Sequence, residues 1–336
     1  MWLGLAPCLA ALLAAALSAA LIPWLRRHAL AEPNARSSHD LPTPQGGGIA
    51  VIAAMLATVA LAAAFQPVGM ATAAALGAAV LLAVVGAADD RHALAVPPRL
   101  VLQAVAVTAA VGALPADHAL LPFAPWWLER TLLVLAGLWF VNLVNFMDGL
   151  DWMTVAEMVP VTAALAMLGA FGMIGPEPAL VAAALCGAML GFAPFNRPVA
   201  KLFLGDVGSL PIGLLVGWCL LDLARHGHLA AALLLPLYYL ADATLTLLRR
   251  MTRGEAPWRA HRAHFYQRAT DNGFAVMQIA IMVFALNGVL AALAALTIWL
   301  PGPVTAAAAL AAGGGAVTAL LTLFARPRRL SRPGPA

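Results

Sequence analysis

The 336-residue sequence predicts an all-α protein that crosses a membrane many times. Hydrophobic residues make up 63% of the chain, charged residues make up 10%, and the mean hydropathy is +0.89. A soluble protein of this length could not bury so much apolar surface. The apolar residues also form runs, most of them near the ~20 residues that a helix needs to cross a bilayer. We therefore expect one integral-membrane domain over residues 1–325 and a short basic tail over 326–336.

Eleven apolar runs are candidate membrane helices. They cover residues 2–24, 47–65, 70–88, 100–114, 131–147, 154–174, 179–195, 210–223, 229–248, 274–300 and 304–324. The first run has no basic leader and no small-residue cleavage site, so we expect a retained helix rather than a signal peptide.

The basic residues are unevenly distributed when these runs are threaded alternately through a membrane. Seventeen of the 19 Lys and Arg side chains fall on one side, and only Arg130 and Arg225 fall on the other. Because Lys and Arg concentrate in cytoplasmic loops, this pattern predicts an N-terminus outside and a cytoplasmic C-terminus.

Two other classes of protein are disfavoured by composition. The net charge of +4 is not carried by a soluble basic domain with interleaved aromatic residues, so we expect no nucleic-acid partner. The three cysteines, Cys8, Cys186 and Cys219, stand apart in apolar runs, which argues against a disulfide framework or a thiolate metal site.

The densest polar cluster lies at residues 141–151, at the end of the fifth apolar run. Ionisable groups at the end of a membrane helix are energetically costly and point to function. If the helix continues through this segment, two amides and two carboxylates share one face, which can hold a cation or a metal-bound phosphate. These residues are Asn142, Asn145, Asp148 and Asp151.

Two further clusters have a structural and a functional interpretation. Asp89 and Asp90 could form a solvated helix end, although the helix dipole opposes acids there and a nearby cation would relieve the repulsion. Residues 205–209 could simply cap the next helix, since Asp206 and Ser209 are good N-cap residues. The glycines of that segment could instead expose N–H groups to a phosphate while Asp206 holds Mg²⁺.

Two loops likewise have a structural and a functional interpretation. His261 and His264 either touch lipid headgroups as an amphipathic turn or bind an anionic pyrophosphate. No further acid or cysteine stands near them, so we do not expect zinc. Residues 42–48 form a turn in either interpretation, with glycines that would let the backbone approach a substrate.

The predicted topology brings all of these clusters to the cytoplasmic ends of helices. A transporter is expected to carry its polar groups near the bilayer midplane, often on broken helices in repeated halves. A polar ring at one interface instead suits an enzyme that takes a soluble substrate from the cytoplasm and a lipid from the membrane. The alternatives are a transporter of a lipid-linked or anionic solute and a membrane phosphatase acting on prenyl diphosphate.

In this order, the clusters resemble the motifs of the polyprenyl-phosphate N-acetylhexosamine-1-phosphate transferases, the MraY/WecA-like members of glycosyltransferase family 4. Residues 38–48 resemble the family's PTPxGGG-type loop, and Asp89-Asp90 with Arg99 and Gln103 resembles its aspartate-pair motif. Residues 142–151 match an NxxNxxDGxD motif, 204–209 an LGDxGS motif, and 261–267 the histidine loop. Each motif alone is modest evidence, but the ordered set is highly specific.

Three features depart from the family pattern. Trp152 replaces a glycine that commonly follows the third motif, and Gln45 stands where an arginine is frequent. The histidine loop lacks the consecutive histidines of the peptidoglycan branch. The chain is therefore more similar to enzymes that initiate O-antigen or other surface glycans than to those using a muramoyl-pentapeptide substrate.

The resemblance implies transfer of N-acetylhexosamine-1-phosphate from a UDP-sugar to polyprenyl (undecaprenyl) phosphate, giving polyprenyl-diphosphate-sugar and UMP. It further implies Mg²⁺ or Mn²⁺ as cofactor, and a bacterial inner membrane with the active site facing the cytoplasm. The expected partners are the UDP-N-acetylhexosamine, the polyprenyl phosphate and membrane lipids. The residues do not set the oligomeric state, and a homodimer stays open.

The resemblance also assigns roles. The expected catalytic residues are Asp89, Asp90, Asp148 and Asp206, with Asp89 or Asp90 as the base if one operates. The expected metal ligands are Asp206, Asn145 and Asp148. The expected substrate-binding residues are Asn142, Asn145, Asp151, Arg99, Gly205, Gly208, Ser209, His261 and His264. Asp242, within the ninth run, is expected to be the buried partner of a basic residue.

Overall fold

The computed structural model describes residues 2–31, 42–115, 119–256 and 261–327. Within these residues the helices are α1 (Trp2–His28), α2 (Gly48–Ala63), α3 (Met70–Arg91), α4 (Val96–Gly112), α5 (Trp126–Met147), α6 (Met153–Ala170), α7 (Pro176–Asn196), α8 (Asp206–Arg225), α9 (Leu229–Leu234), α10 (Leu237–Thr252), α11 (Phe265–Asp271), α12 (Val276–Trp299) and α13 (Pro303–Ala325). Two short antiparallel strands, β1 (Leu30–Ala31) and β2 (Thr43–Pro44), pair Leu30 with Pro44. Residues 38–41 of the predicted glycine loop and residues 328–336 of the predicted tail lie outside the described residues.

The all-α, polytopic prediction is confirmed. Eight of the described helices are long and apolar enough to cross a membrane, namely α1, α3, α5, α6, α7, α8, α12 and α13. Two more, α2 and α4, are apolar but shorter. The count of eleven crossings, their orientation and the division into one domain and a tail stay predictions.

The ninth predicted run, residues 229–248, is not one helix. It divides into α9 and α10, with Leu235 and Pro236 between them. Proline has no N–H to donate and its ring clashes with the preceding helical turn, which breaks the helix there. The prediction of a continuous span was therefore wrong.

Helices α2, α3 and α8 meet backbone to backbone where α8 begins. A Cβ atom on Gly48 would lie 2.2 Å from the Cα of Gly208, and one on Gly86 would lie 2.2 Å from the main-chain oxygen of Asp206. Small residues allow such close helix contacts in membrane proteins. The glycines thus bring the first residue of α8 against the last turns of α3.

Acidic side chains hold the starts of two helices from elsewhere in the chain. The carboxylate of Glu177 accepts the N–H of Gly69, which precedes α3, at 3.0 and 3.1 Å. The carboxylate of Asp222 accepts the N–H of Gly175, which precedes α7, at 2.8 Å. Both acids satisfy N–H groups that a helix start leaves without an internal partner.

Arg130 and Arg225 donate hydrogen bonds to main-chain oxygens at the end of α4. Arg130 donates to the main-chain oxygens of Val111 at 2.5 Å and Leu114 at 3.0 Å. Both arginines donate to the oxygen of Pro115, at 3.1 and 2.6 Å. The two basic residues that the charge pattern left on the minority side therefore meet at one end of the bundle, where they cap a helix C-terminus.

Candidate active site

A cavity of about 970 Å³ opens at the other end of the bundle, where α3 and α5 end and α8 begins. Its polar lining consists of Gln45, Asp89, Asp90, Arg99, Asn142, Asn145, Asp148, Asp206, His261, His264 and Gln267. The four predicted catalytic carboxylates, which are far apart in the sequence, thus line one cavity. The predicted convergence of these acids is confirmed.

Asp90 holds the start of α8. Its Oδ1 accepts the N–H of Asp206 at 2.9 Å, and its Oδ2 accepts the N–H of Val207 at 3.1 Å. The side chain of Gln45 also donates to Asp90. Because Asp90 accepts both of these N–H groups, they are not free for a phosphate in this arrangement. Asp90 instead positions the helix that carries Asp206.

Gly205, Gly208 and Ser209 are structural parts of the same helix start, and none of them lines the cavity. Gly205 has a φ of +77°, and a Cβ atom there would lie 2.6 Å from Oδ2 of Asp90. Gly208 packs against α2, as described above. Ser209 is fully buried and accepts a hydrogen bond from Asn145 at 2.9 Å. Their predicted substrate-binding role stays a prediction.

Asp206 is the first residue of α8 and its side chain faces the cavity. The Nδ2 of Asn145 donates to Oδ1 of Asp206 at 2.7 Å as well as to Ser209. The carboxyl group of Asp89 lines the same cavity. Asn145 thus orients Asp206 through its amide nitrogen, and its predicted role as a metal ligand, through the amide oxygen, stays a prediction.

Asp89 forms an ion pair with Arg99 on the cavity wall. The Nη1 of Arg99 lies 2.6 Å from Oδ2 of Asp89, whose Oδ1 accepts the N–H of Leu94 at 2.6 Å. The pair holds the guanidinium group beside the carboxylates, where its remaining N–H groups can meet an anion.

The four polar side chains of residues 142–151 do not share a face. Helix α5 ends at Met147, and Trp152 adopts a left-handed backbone with a φ of 62°. This turn directs the carboxylate of Asp151 away from the cavity, so that it accepts the N–H of Ala200 at 3.0 Å. The prediction of a continuous helix was therefore wrong, and the predicted substrate-binding role of Asp151 stays a prediction.

The other residues of this segment face the cavity with defined partners. Asn142 donates to Oε1 of Gln103 at 2.7 Å, which ties α5 to α4. Asp148 accepts a hydrogen bond from the hydroxyl of Thr154 at 2.5 Å. Asp148 follows the last residue of α5, and Thr154 lies in the first turn of α6. The hydroxyl therefore fixes the carboxylate at the junction of two helices.

The environment of Asp148 disfavours the charged form of its carboxyl group. Burial raises the pKa of Asp148 well above its usual range, and the neighbouring carboxylates of Asp206, Asp90 and Asp151 raise it further. The hydrogen bond from Thr154 acts in the opposite direction. A bound cation would relieve this crowding of carboxylates.

The four cavity carboxylates differ in their partners. Asp89 and Asp90 accept backbone N–H groups, whereas Asp148 and Asp206 have only side-chain hydrogen-bond partners in the described part of the chain. Among the described residues, no group of three or more His, Cys, Asp or Glu side chains is arranged to hold a metal ion. Mg²⁺ does not require such a cage, since it binds through one or two carboxylates together with substrate phosphates and water. The donor chemistry of Asp148 and Asp206 fits that requirement.

Both predicted histidines line the cavity. Nδ1 of His264 lies 3.4 Å from Oδ1 of Asp242, and the rings of His261 and His264 are 4.9 Å apart. Asp242 also accepts the N–H groups of Phe265 at 3.0 Å and Tyr266 at 3.2 Å. It therefore holds the start of α11 and pairs with a histidine, rather than with an arginine of its own helix.

Three residues of the site were missed in the sequence. Thr154 is one turn from the third motif, but a threonine at a helix start is too common to be a signal. Tyr266 and Gln267 follow the histidine pair and line the cavity, and the Tyr266 hydroxyl donates to the main-chain oxygen of Phe146 at 3.0 Å. The helical spacing of His264 and Gln267 could have indicated that they share a face.

The fold and the cavity define a polytopic membrane protein with a carboxylate-lined site at one end of its helices. Among known families, the model of Glycosyl transferase family 4 matches residues 72–224. The chain is therefore similar to members of this family over that segment.

Curated relatives extend the similarity beyond the matched segment. The chain is 27% identical to the decaprenyl-phosphate N-acetylglucosaminephosphotransferase of Mycobacterium leprae (strain TN), over 90% of this chain and 85% of the relative. It is 26% identical to a probable undecaprenyl-phosphate N-acetylglucosaminyl 1-phosphate transferase of Bacillus subtilis (strain 168), over 81% and 79%. It is also 28% identical to a phospho-N-acetylmuramoyl-pentapeptide-transferase of Mycolicibacterium paratuberculosis, over 74% and 81%.

Proposed function

We propose that this protein transfers N-acetylhexosamine-1-phosphate from a UDP-sugar to a polyprenyl phosphate, which yields polyprenyl-diphosphate-sugar and UMP. The observation that carries the proposal is the pair of cavity carboxylates, Asp148 and Asp206, that no backbone N–H satisfies in the described residues. The names of the relatives in Mycobacterium leprae and Bacillus subtilis favour N-acetylglucosamine as the sugar.

Asp206 and Asp148 are the residues that would hold Mg²⁺, with Mn²⁺ as a substitute. The ion would neutralise charge on the phosphates of the nucleotide sugar, which is its usual contribution to phosphoryl transfer. Asn145 and Asp90 keep Asp206 at the cavity wall, and Thr154 does the same for Asp148. Each carboxylate that would bind the metal is thus held in position by a hydrogen bond with a neighbouring residue, as metal sites commonly require.

Cationic and polar side chains would hold the two phosphate-bearing substrates. Arg99, His261 and His264 all line the cavity. Aligning two anions in a preorganised site lowers the barrier by removing the cost of bringing them together. The cavity volume of about 970 Å³ is in the range of sites that enclose a ligand of this size.

The attacking group would be the lipid phosphate itself. A phosphate monoester has a second pKa near ~6 and is already mostly ionised at neutral pH, so a general base is not required. Both oxygens of Asp90 are hydrogen-bonded to α8, which argues against Asp90 as a base. Asp89 is likewise engaged by Arg99 and by the N–H of Leu94.

An apolar crevice beside the cavity provides a path for the prenyl chain. Its volume is about 280 Å³, and residues of α4, α5, α8, α9 and α10 line it. Trp139 lines both the crevice and the polar cavity, so the two spaces adjoin. A lipid with its phosphate in the cavity could therefore extend its first isoprene units along α5 and leave the remainder in the bilayer.

The biological setting proposed is the bacterial inner membrane, with the cavity facing the cytoplasm. The product would initiate a lipid-linked surface glycan, such as an O-antigen or another cell-wall polymer. The departures in the histidine loop favour this branch over peptidoglycan synthesis.

A direct assay tests the proposal. Purified protein is incubated with polyprenyl phosphate, Mg²⁺ and, in turn, UDP-N-acetylglucosamine, UDP-N-acetylgalactosamine and UDP-N-acetylmuramoyl-pentapeptide, and UMP and lipid products are measured. We expect UMP release that requires both substrates and is greatest with UDP-N-acetylglucosamine. Release of inorganic phosphate from prenyl diphosphate would indicate a phosphatase, and solute uptake into vesicles without any UMP would indicate a transporter.

A further inference from the structure

The last turns of α10 combine exposed apolar and basic side chains. Leu245, Leu248 and Met251 are 41%, 51% and 53% exposed, and Arg249 is exposed beside them. At ~100° per residue, Leu245, Leu248 and Arg249 fall within one third of the helix circumference. Such a surface has both an apolar and a cationic part, as expected of a helix at a membrane interface.

A second arginine comes to the same place from α11. The guanidinium group of Arg249 lies 4.6 Å from the ring centroid of Phe265, and that of Arg268 lies 5.9 Å from it. Phe265 itself is buried, with 3% of its surface exposed. The two arginines are thus brought together around one fixed aromatic ring.

Neither arginine has an acidic partner in the part of the chain that the structure describes. The nearby acid Glu255 is paired with Arg250 at 2.8 Å. Asp242 accepts the N–H groups at the start of α11. Both guanidinium groups lie against the same ring, at 4.6 and 5.9 Å from its centroid, and neither has a counter-charge in the described residues, so a bound anion would be favoured there.

This surface is separate from the substrate cavity. The cavity is lined by Leu247 of α10, which points ~200° away from Leu245 around the helix. Arg249 and Arg268 are both absent from the cavity lining. A ligand between these arginines would therefore not occupy the site of sugar transfer.

We propose that Arg249 and Arg268 bind the phosphate of an anionic phospholipid, whose acyl chains lie against Leu245 and Leu248. A free phosphate would use the arginines but not the leucines, and a zwitterionic lipid would bring its own positive charge to them. An anionic phospholipid offers a phosphate to the arginines and acyl chains to the leucines. Cytoplasmic leaflets are rich in such lipids, which attract basic residues near the membrane.

The test measures lipid retention by the whole protein. Delipidated protein in detergent micelles is titrated with phosphatidylglycerol or phosphatidylcholine, and bound lipid is counted by native mass spectrometry. We expect one phosphatidylglycerol to bind more tightly than phosphatidylcholine. Each of Arg249→Gln and Arg268→Gln should weaken this binding about fivefold, and the double variant about 25-fold.

Arg197→Gln is the matched control, because Arg197 is an exposed arginine outside the cavity lining. It removes the same charge and should leave the lipid affinity unchanged. The single variants give the answer even if the double variant fails to fold. Equal retention of the two lipids, or equal weakening by Arg197→Gln, would overturn the proposal. Displacement of phosphatidylglycerol by an equimolar amount of polyprenyl phosphate would also overturn it, since the surface would then be a binding site for the substrate lipid.

Discussion

The two ends of the helix bundle use their charged residues differently. At the end opposite the cavity, the described Asp, Glu and Arg side chains hold backbone groups at or near helix ends. They are Glu129, Arg130, Glu177, Asp222 and Arg225. At the cavity end, Asp89 and Asp90 also accept backbone N–H groups, but within the described ranges Asp148 and Asp206 have side-chain partners only.

This comparison separates structural charges from candidate functional ones. A carboxylate that accepts backbone N–H groups is stabilised in its charged form and has its lone pairs occupied. A buried carboxylate without such donors is costly and persists where something else, such as a metal ion, completes its surroundings. The partner of each acid is therefore more informative than the presence of the acid.

The largest effect is expected at Asp206. Asp206→Asn keeps the size of the side chain and an acceptor for Asn145, but removes the charge that would bind the metal. We expect UMP release to fall by about 10³-fold or more at every Mg²⁺ concentration, because charge stabilisation in the transition state is lost. The thermal midpoint of the apo protein should be unchanged, and its stabilisation by added Mn²⁺ should disappear. Activity near that of the native protein would exclude Asp206 from the metal site.

A smaller effect is expected at Thr154, which would act by positioning Asp148. Thr154→Val keeps the shape of the side chain but removes the hydroxyl that donates to Asp148. We expect kcat to fall by roughly 10- to 100-fold with little change in the KM for the lipid, since small displacements of catalytic groups have effects of this size. Thr154→Ser should restore most of the rate. Equal activity of the valine and serine variants would show that the hydroxyl has no such role.

Asp90 is expected to affect both stability and activity. Asp90→Ala removes the acceptor for two N–H groups at the start of α8, which should lower the free energy of unfolding by about 1–2 kcal/mol. Activity should fall as well, because Asp206 begins that helix. Thermal unfolding and UMP release are measured on the same preparation. A variant with normal stability and no activity would instead assign Asp90 to the substrates.

The smallest effect is expected at Asp222, at the opposite end. Asp222→Ala removes the acceptor for the N–H of Gly175 and should lower the free energy of unfolding by about 1 kcal/mol. Because Asp222 is outside the cavity, kcat and both KM values should stay those of the native protein. A large loss of kcat in a folded Asp222→Ala protein would contradict the assignment of a purely structural role to the charges at this end.

Much of the architecture was predictable because apolar runs in a membrane protein are long and unambiguous. Residues 229–248 were misread because the apolar run continues through Pro236, whereas the helix is interrupted there. The residues after Met147 were misread for a related reason. Their polar spacing fits a helix, but the left-handed backbone at Trp152 turns the chain instead.

The candidate site was predictable as a set of residues but not as a set of roles. The spacing of the clusters identified Asp89, Asp90, Asp148 and Asp206, and the structure brings all four to one cavity. Asp90 caps a helix whose N–H groups lie 116 and 117 residues further along the chain. No local pattern contains that information.

Hydropathy and residue spacing are local properties, and they were enough to predict a membrane-embedded helical protein with acidic clusters at helix ends. They could not separate the carboxylates that serve the fold from those that face the cavity. A carboxylate takes its role from the donors that reach it, and in this protein those donors come from other helices.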